Sequence, residues 1–124
     1  MAKKRILVVD DDQAYSRFIY EALTTRGSYE VREENDGRQV LSAVREFHPH
    51  LVLLDVSLPF VSGDQIAAMM REDSQLRDIP IIYLTGLLRN EEGEDKELGH
   101  SLLLSKPVEV EKLLKCIQTK LEKV

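Results

Sequence analysis

The chain is 124 residues long, carries a formal net charge of −5, and is 43% hydrophobic and 31% charged. That length holds one core and no second folded domain, and the composition is that of an ordinary soluble protein. No apolar run approaches the roughly 20 residues of a bilayer span, and an acidic balance with scattered Lys and Arg excludes a sequence-independent grip on nucleic-acid phosphates.

The basic start, Lys3-Lys4-Arg5, reads as a solvated strand entrance. Ile6-Leu7-Val8-Val9 is too short for a secretory apolar region, so a cytoplasmic protein is expected. This run is the first strand and ends in Asp10-Asp11-Asp12. Tyr15, Phe18, Ile19, Ala22 and Leu23 then recur at helical spacing, and Gly27 stops the helix. Tyr29-Glu30-Val31 alternates as a short strand does. Val40, Leu41, Val44 and Phe47 mark a second helix, with Pro49 just beyond it. Leu51-Val52-Leu53-Leu54 is a third strand, ending at Asp55. Ser62-Gly63-Asp64-Gln65 reads as a capping box that opens a third helix, with Ile66, Met69 and Met70 on its apolar face. Ile81-Ile82-Tyr83-Leu84 runs into Thr85-Gly86. Leu102-Leu103-Leu104 runs into Ser105-Lys106-Pro107. Val110, Leu113, Leu114, Ile117 and Leu121 face a closing helix. The only cysteine, Cys116, lies among them and reads as a small packed hydrophobe, since one cysteine allows no internal disulfide.

Strands alternating with helices imply a parallel sheet covered on both faces, and unbroken apolar runs fit doubly buried strands. Five such units predict a five-stranded α/β sheet in the flavodoxin-like order 2-1-3-4-5, with helices on both faces. The fourth helix is the weak point. Asn90-Glu91-Glu92-Gly93-Glu94-Asp95-Lys96-Glu97 contains no apolar residue, so a short, loosely held helix or a mobile loop is expected there.

Ligands of open parallel sheets bind beyond the carboxyl ends of the strands. Those ends carry Asp10-Asp11-Asp12, Asp55, Thr85 and Lys106. Clustered carboxylates need a cation to stay ionised together, and an all-oxygen set suits magnesium. A carboxylate can act as the nucleophile in phosphoryl transfer, with metal and ammonium neutralising phosphoryl charge. Each piece has a plainer role: the acids as helix caps, Thr85 as a turn residue, Lys106 as a surface lysine. Helix capping does not explain matched chemistry at four strand ends.

Ile6-Leu7-Val8-Val9-Asp10-Asp11-Asp12, Leu51-Val52-Leu53-Leu54-Asp55-Val56-Ser57-Leu58-Pro59, Leu84-Thr85-Gly86 and Ser105-Lys106-Pro107 resemble the signature blocks of bacterial response-regulator receiver domains. The resemblance spans nearly the whole chain and implies one receiver domain over residues 1–124. It implies Asp55 as phosphoacceptor, Asp11 as a direct Mg2+ ligand, Asp10 as a second acid acting through water, and the Ser57 carbonyl as a further ligand. Thr85 and Lys106 would hold phosphoryl oxygens, and the Lys106-Pro107 bond is often cis in the family. The implied donor is a histidine kinase or histidine phosphotransfer protein. The implied output is a downstream protein meeting the last two helices and strand, with no nucleic acid or membrane partner, and a homodimer is left open.

Four positions depart from the family pattern. His50 replaces a common Asp and is expected to affect only packing or capping. Phe60-Val61-Ser62-Gly63 replaces the usual turn and exposes Phe60 near the site, where plain packing of a loop hydrophobe is expected rather than a lid or partner contact. Leu103 stands where an aromatic switch residue is usual. Leu87 places an apolar group beside the path of a hydrolytic water. Two other readings compete. A magnesium-dependent phosphohydrolase with an Asp nucleophile needs a second acid two residues on, where Ser57 stands. A degenerate receiver would serve only as an interaction or dimerisation surface.

Overall fold

Four of the apolar runs pair into the middle of one sheet. The structure, a computed structural model, describes residues 2–86, 96–98 and 101–122, with 96–98 and 101 described by backbone alone. Its elements in chain order are β1 (Arg5–Val9), α1 (Gln13–Arg26), β2 (Glu30–Glu34), a 3-10 turn (Gly37–Gln39), α2 (Val40–Phe47), β3 (Leu51–Asp55), α3 (Gly63–Glu72), β4 (Ile81–Thr85), β5 (Lys96–Leu98), β6 (Ser101–Ser105) and α4 (Val110–Glu122).

The sheet order is β2-β1-β3-β4-β6-β5. The first five are mutually parallel and reproduce the expected 2-1-3-4-5 order, β6 being the fifth parallel strand. The short β5 was not expected. It runs antiparallel to β6, with Glu97 opposite Leu102, and so pairs backbone groups that would otherwise form an open sheet edge. Lys96 and Glu97 are therefore strand, not the fourth helix expected there. The helix or loop expected for residues 90–95, and the role given to Leu87, lie outside the described residues.

Alternate residues of each strand face opposite layers. Leu7, Val9, Val52, Leu54 and Tyr83 pack with Val40, Val44, Ile66 and Met70 of α2 and α3. Ile6, Val8, Leu51, Leu53, Ile82 and Leu84 pack with Ile19, Leu23, Leu113 and Ile117 of α1 and α4. Every residue of β3 and β4 is buried, which is why these strands are apolar throughout rather than alternating. Cys116 is half-buried against the α1–α4 layer, as expected. Leu103 is partly buried on the α2–α3 side, in register with Tyr83.

The helix ends carry their stops in the sequence. Asp12 caps α1, its side chain accepting the Tyr15 N–H at 3.1 Å. The Ser62–Gln65 capping box forms as read. At the opposite end of the sheet, His50 Nδ1 accepts the Arg5 N–H at 2.9 Å. Burial, then the charges of Arg5 and Lys4, hold this imidazole below its ordinary pKa. No helix among the described residues is long and apolar enough to cross a membrane.

Candidate functional site

Parallel pairing determines where the acids meet. Val9 is in register with Leu54, so the next residues, Asp10 and Asp55, emerge side by side at the carboxyl ends of β1 and β3. Both are buried, at 2% and 6% exposure, whereas Asp11 is exposed at the rim. One oxygen from each of Asp10, Asp11 and Asp55 lies within 4.8 Å of the others. Such an all-oxygen set, gathered from two strand ends and open on one side, fits a hard divalent ion that keeps waters and takes one or two carboxylates.

Lys106 bridges the two buried acids. Its ammonium donates to Asp10 Oδ2 at 2.5 Å and to Asp55 Oδ2 at 3.3 Å, across 96 and 51 residues of chain respectively. Its backbone N–H donates to the Thr85 carbonyl at 2.9 Å, and the peptide bond to Pro107 is cis. Thr85 is buried at the end of β4, in register with Ser105. Ser57 is exposed, and its N–H donates to Asp55 Oδ1 at 3.1 Å.

The electrostatics follow from this packing. Burial pushes the Asp55 carboxyl above its usual range, opposed by the Ser57 N–H and the Lys106 charge and reinforced by Asp10. For Lys106, burial alone would lower the pKa, but its hydrogen bond to Asp10 and the two carboxylate charges outweigh burial and raise it. The ammonium therefore stays charged beside Asp55.

All six residues singled out in the sequence, Asp10, Asp11, Asp55, Ser57, Thr85 and Lys106, come together at this end of the sheet. Asp12, given no chemical role, is the α1 cap. Two residues at the site were not singled out. Asn35 Nδ2 donates to the Asp10 carbonyl at 2.7 Å and to Ser16 Oγ at 3.0 Å, tying the loop after β2 to the start of α1. Its only sequence signal is an Asn at a strand end. The Tyr15 ring lies 4.8 Å from Lys106 Nζ, a contact that helical periodicity cannot reveal.

Phe60 is exposed, as the loop sequence predicts. It is 77% exposed, and its backbone is left-handed with φ 72°. This turn of the β3–α3 loop points the ring outward, where the Arg38 guanidinium lies 3.9 Å from its centroid. Gly63, at the start of α3, has no room for a side chain: a Cβ would collide with the Asp55 carbonyl oxygen and come within 2.9 Å of Val56 Cα. Close approach of α3 to the phosphoacceptor candidate thus depends on glycine.

Comparison with known proteins bears on the family and the fold. The family model described as "Response regulator receiver domain" matches residues 6–118. The polar-differentiation response regulator DivK of Brucella ovis is 29% identical over 117 residues, covering 94% of both chains. The chemotaxis protein CheY4 of Vibrio cholerae superposes with a TM-score of 0.81 at 30% identity, covering 95% of this chain and 98% of the other. A CheY-like receiver domain protein from Methanospirillum hungatei gives 0.77 at 28% identity, covering 98% and 96%.

Proposed function

Because the chain belongs to the response regulator receiver domain family, we propose that it is a phosphoacceptor module of a two-component relay, with Asp55 as the residue phosphorylated. The observation that carries this reading is the Asp10–Lys106–Asp55 bridge with Asp11 beside it, at the carboxyl ends of adjacent strands. The family match and the single sheet support one receiver unit over residues 1–124. The partners are a phosphohistidine donor, either a histidine kinase or a histidine phosphotransfer protein, and a downstream protein that reads the modified face. The compartment is the cytoplasm.

Asp11, Asp10, Asp55 and the Ser57 carbonyl would hold Mg2+, with Asp10 acting through water. The ion would supply positive charge to the phosphoryl oxygens and to the attacking carboxylate. The chain's own residues do the rest. Asp55 presents one carboxylate oxygen in line with the donor's N–P bond. A new O–P bond forms as that bond breaks, and the leaving imidazole nitrogen is protonated from solvent. There is little covalent work for the protein in such a loose transition state, so positioning and charge dominate. The Ser57 N–H orients Asp55 through Oδ1. Lys106 neutralises charge on one phosphoryl oxygen, and the Thr85 hydroxyl donates to another. The Lys106 backbone N–H bond to the Thr85 carbonyl joins the two chain segments that carry these groups.

The test is intact-protein mass after incubation with a small phosphodonor, with and without magnesium, for the wild type and Asp55→Asn. A magnesium-dependent gain of one phosphoryl group in the wild type alone supports the reading. No gain, with metal binding demonstrated separately, replaces it with a phosphorylation-independent interaction module.

A further inference from the structure

Tyr15 is the aromatic residue built into the site. It belongs to α1 and is half-buried. Its ring centroid stands 4.8 Å from Lys106 Nζ, inside the roughly 6 Å over which a ring face attracts a cation. Its hydroxyl oxygen accepts the Val108 N–H at 3.3 Å. The two contacts straddle Pro107: one is on the head of Lys106, the other on the backbone two residues later. Both come from a helix on the far side of the sequence, 93 residues from Val108.

An ammonium has three N–H donors and a flexible four-carbon stem. The backbone bond to Thr85 fixes where Lys106 starts, not where its nitrogen ends. Two donors are taken by Asp10 and Asp55. The electron-rich face of Tyr15 meets the same ammonium. Leucine at this position would still fill apolar space but would offer the cation no quadrupole.

We propose that Tyr15 is a positioning residue that steadies the Lys106 ammonium against Asp55 with its ring face and anchors the β6–α4 loop with its hydroxyl. The proposal rests on the phosphoacceptor reading of Asp55. It separates ring from hydroxyl: Tyr15→Phe keeps the ring and loses the Val108 bond, whereas Tyr15→Leu loses both.

Two readouts test it on the full chain. In the unphosphorylated protein, proton NMR of the Lys106 ε-methylene reads the ring directly. The signals are expected to be shifted upfield in the wild type and in Tyr15→Phe, and to return toward ordinary lysine values in Tyr15→Leu. In phosphorylation by a small donor at saturating donor and magnesium, Tyr15→Leu is expected to slow the maximal rate roughly tenfold, between the sizes of an exposed and a desolvated cation–ring contact. Tyr15→Phe stays within about twofold of the wild type on the same scale, although losing the Val108 bond lowers its thermal midpoint. Half-saturating donor and magnesium concentrations are unchanged in both variants. A purely structural role would instead make rate follow stability, so that Tyr15→Phe loses rate too. That outcome, a wild-type rate in Tyr15→Leu, or unshifted Lys106 protons in the wild type would each overturn the proposal. If the wild type takes no phosphoryl group, the Asp55 reading falls by itself, and the NMR comparison alone decides whether the ring positions Lys106.

Discussion

Replacing Asp55 with Asn removes one charge from a crowded cluster without changing its shape. At an effective dielectric constant of about 20, Asp10 repels Asp55 by at least about 3.5 kcal/mol at their oxygen separation of no more than 4.8 Å. On the same basis, Lys106 attracts Asp55 by about 5 kcal/mol at 3.3 Å. The two charge effects nearly cancel, since exposed Asp11 adds only a screened repulsion. The deciding contribution is desolvation of a carboxylate that is 6% exposed, which costs several kcal/mol for a buried ion. Asn avoids that cost and can still accept the Ser57 N–H through Oδ1. Asp55→Asn is therefore expected to be more stable than the wild type by about 1–3 kcal/mol in magnesium-free buffer, the surplus left by these opposing contributions. Urea unfolding monitored by circular dichroism, in chelator and then across a magnesium titration, measures the difference. Magnesium should stabilise the wild type more and close the gap, because it binds a carboxylate better than an amide. Asp55→Asn no more stable than the wild type in chelator would refute the energetic argument. Equal stabilisation of both proteins by magnesium would remove Asp55 from the ligand set.

Three further outcomes are expected. Gly63→Ala forces a methyl group against the Asp55 carbonyl and Val56 backbone, neither of which can rotate away. It should cost about 1–3 kcal/mol in urea unfolding and perturb the Asp55 amide signals in NMR; an unchanged midpoint would show that the start of α3 can shift freely. Asn35→Ala strips a partner from the Asp10 carbonyl and from Ser16 Oγ, for an expected loss of about 1–3 kcal/mol, read by thermal unfolding. His50 has a folded pKa below its ordinary value, so the unfolded chain binds the extra proton first as pH falls. Its stabilising contribution is complete above the ordinary histidine pKa and is lost as pH drops through the folded value. His50→Gln should flatten the wild type's stability-versus-pH curve across that window, and equally steep curves for the two proteins would exclude His50 as the source.

The local pattern of the chain carries most of the layout. Apolar runs at Leu7–Val9, Leu51–Leu54 and Ile81–Leu84 declare doubly buried strands because burial on both faces leaves no polar position. The acids and Thr85 are legible because they stand at the ends of such runs, and Lys106 because it lies just beyond Leu102–Leu104, where a parallel sheet opens to ligands. The Ser62 capping box is legible because its hydrogen bonds span only three residues. What escaped was a pairing decided outside the local pattern. The β5 edge strand forms because β6 offers unpaired backbone groups, although Lys96-Glu97-Leu98 has no strand pattern of its own. The exposure of Phe60 was legible in the β3–α3 loop, but its left-handed backbone is not announced by an aromatic residue.

The sequence by itself thus determined which residues reach the carboxyl edge and what chemistry they bring. Only the tertiary structure decided how they meet. Register places Asp10 beside Asp55, and sheet order carries Lys106 back across 96 residues to bridge them. The packing of α1 on the same layer sets Tyr15 against that lysine. Short-range propensity is written in neighbours along the chain, whereas these distances are set by strand pairing and layer packing, which no local window contains.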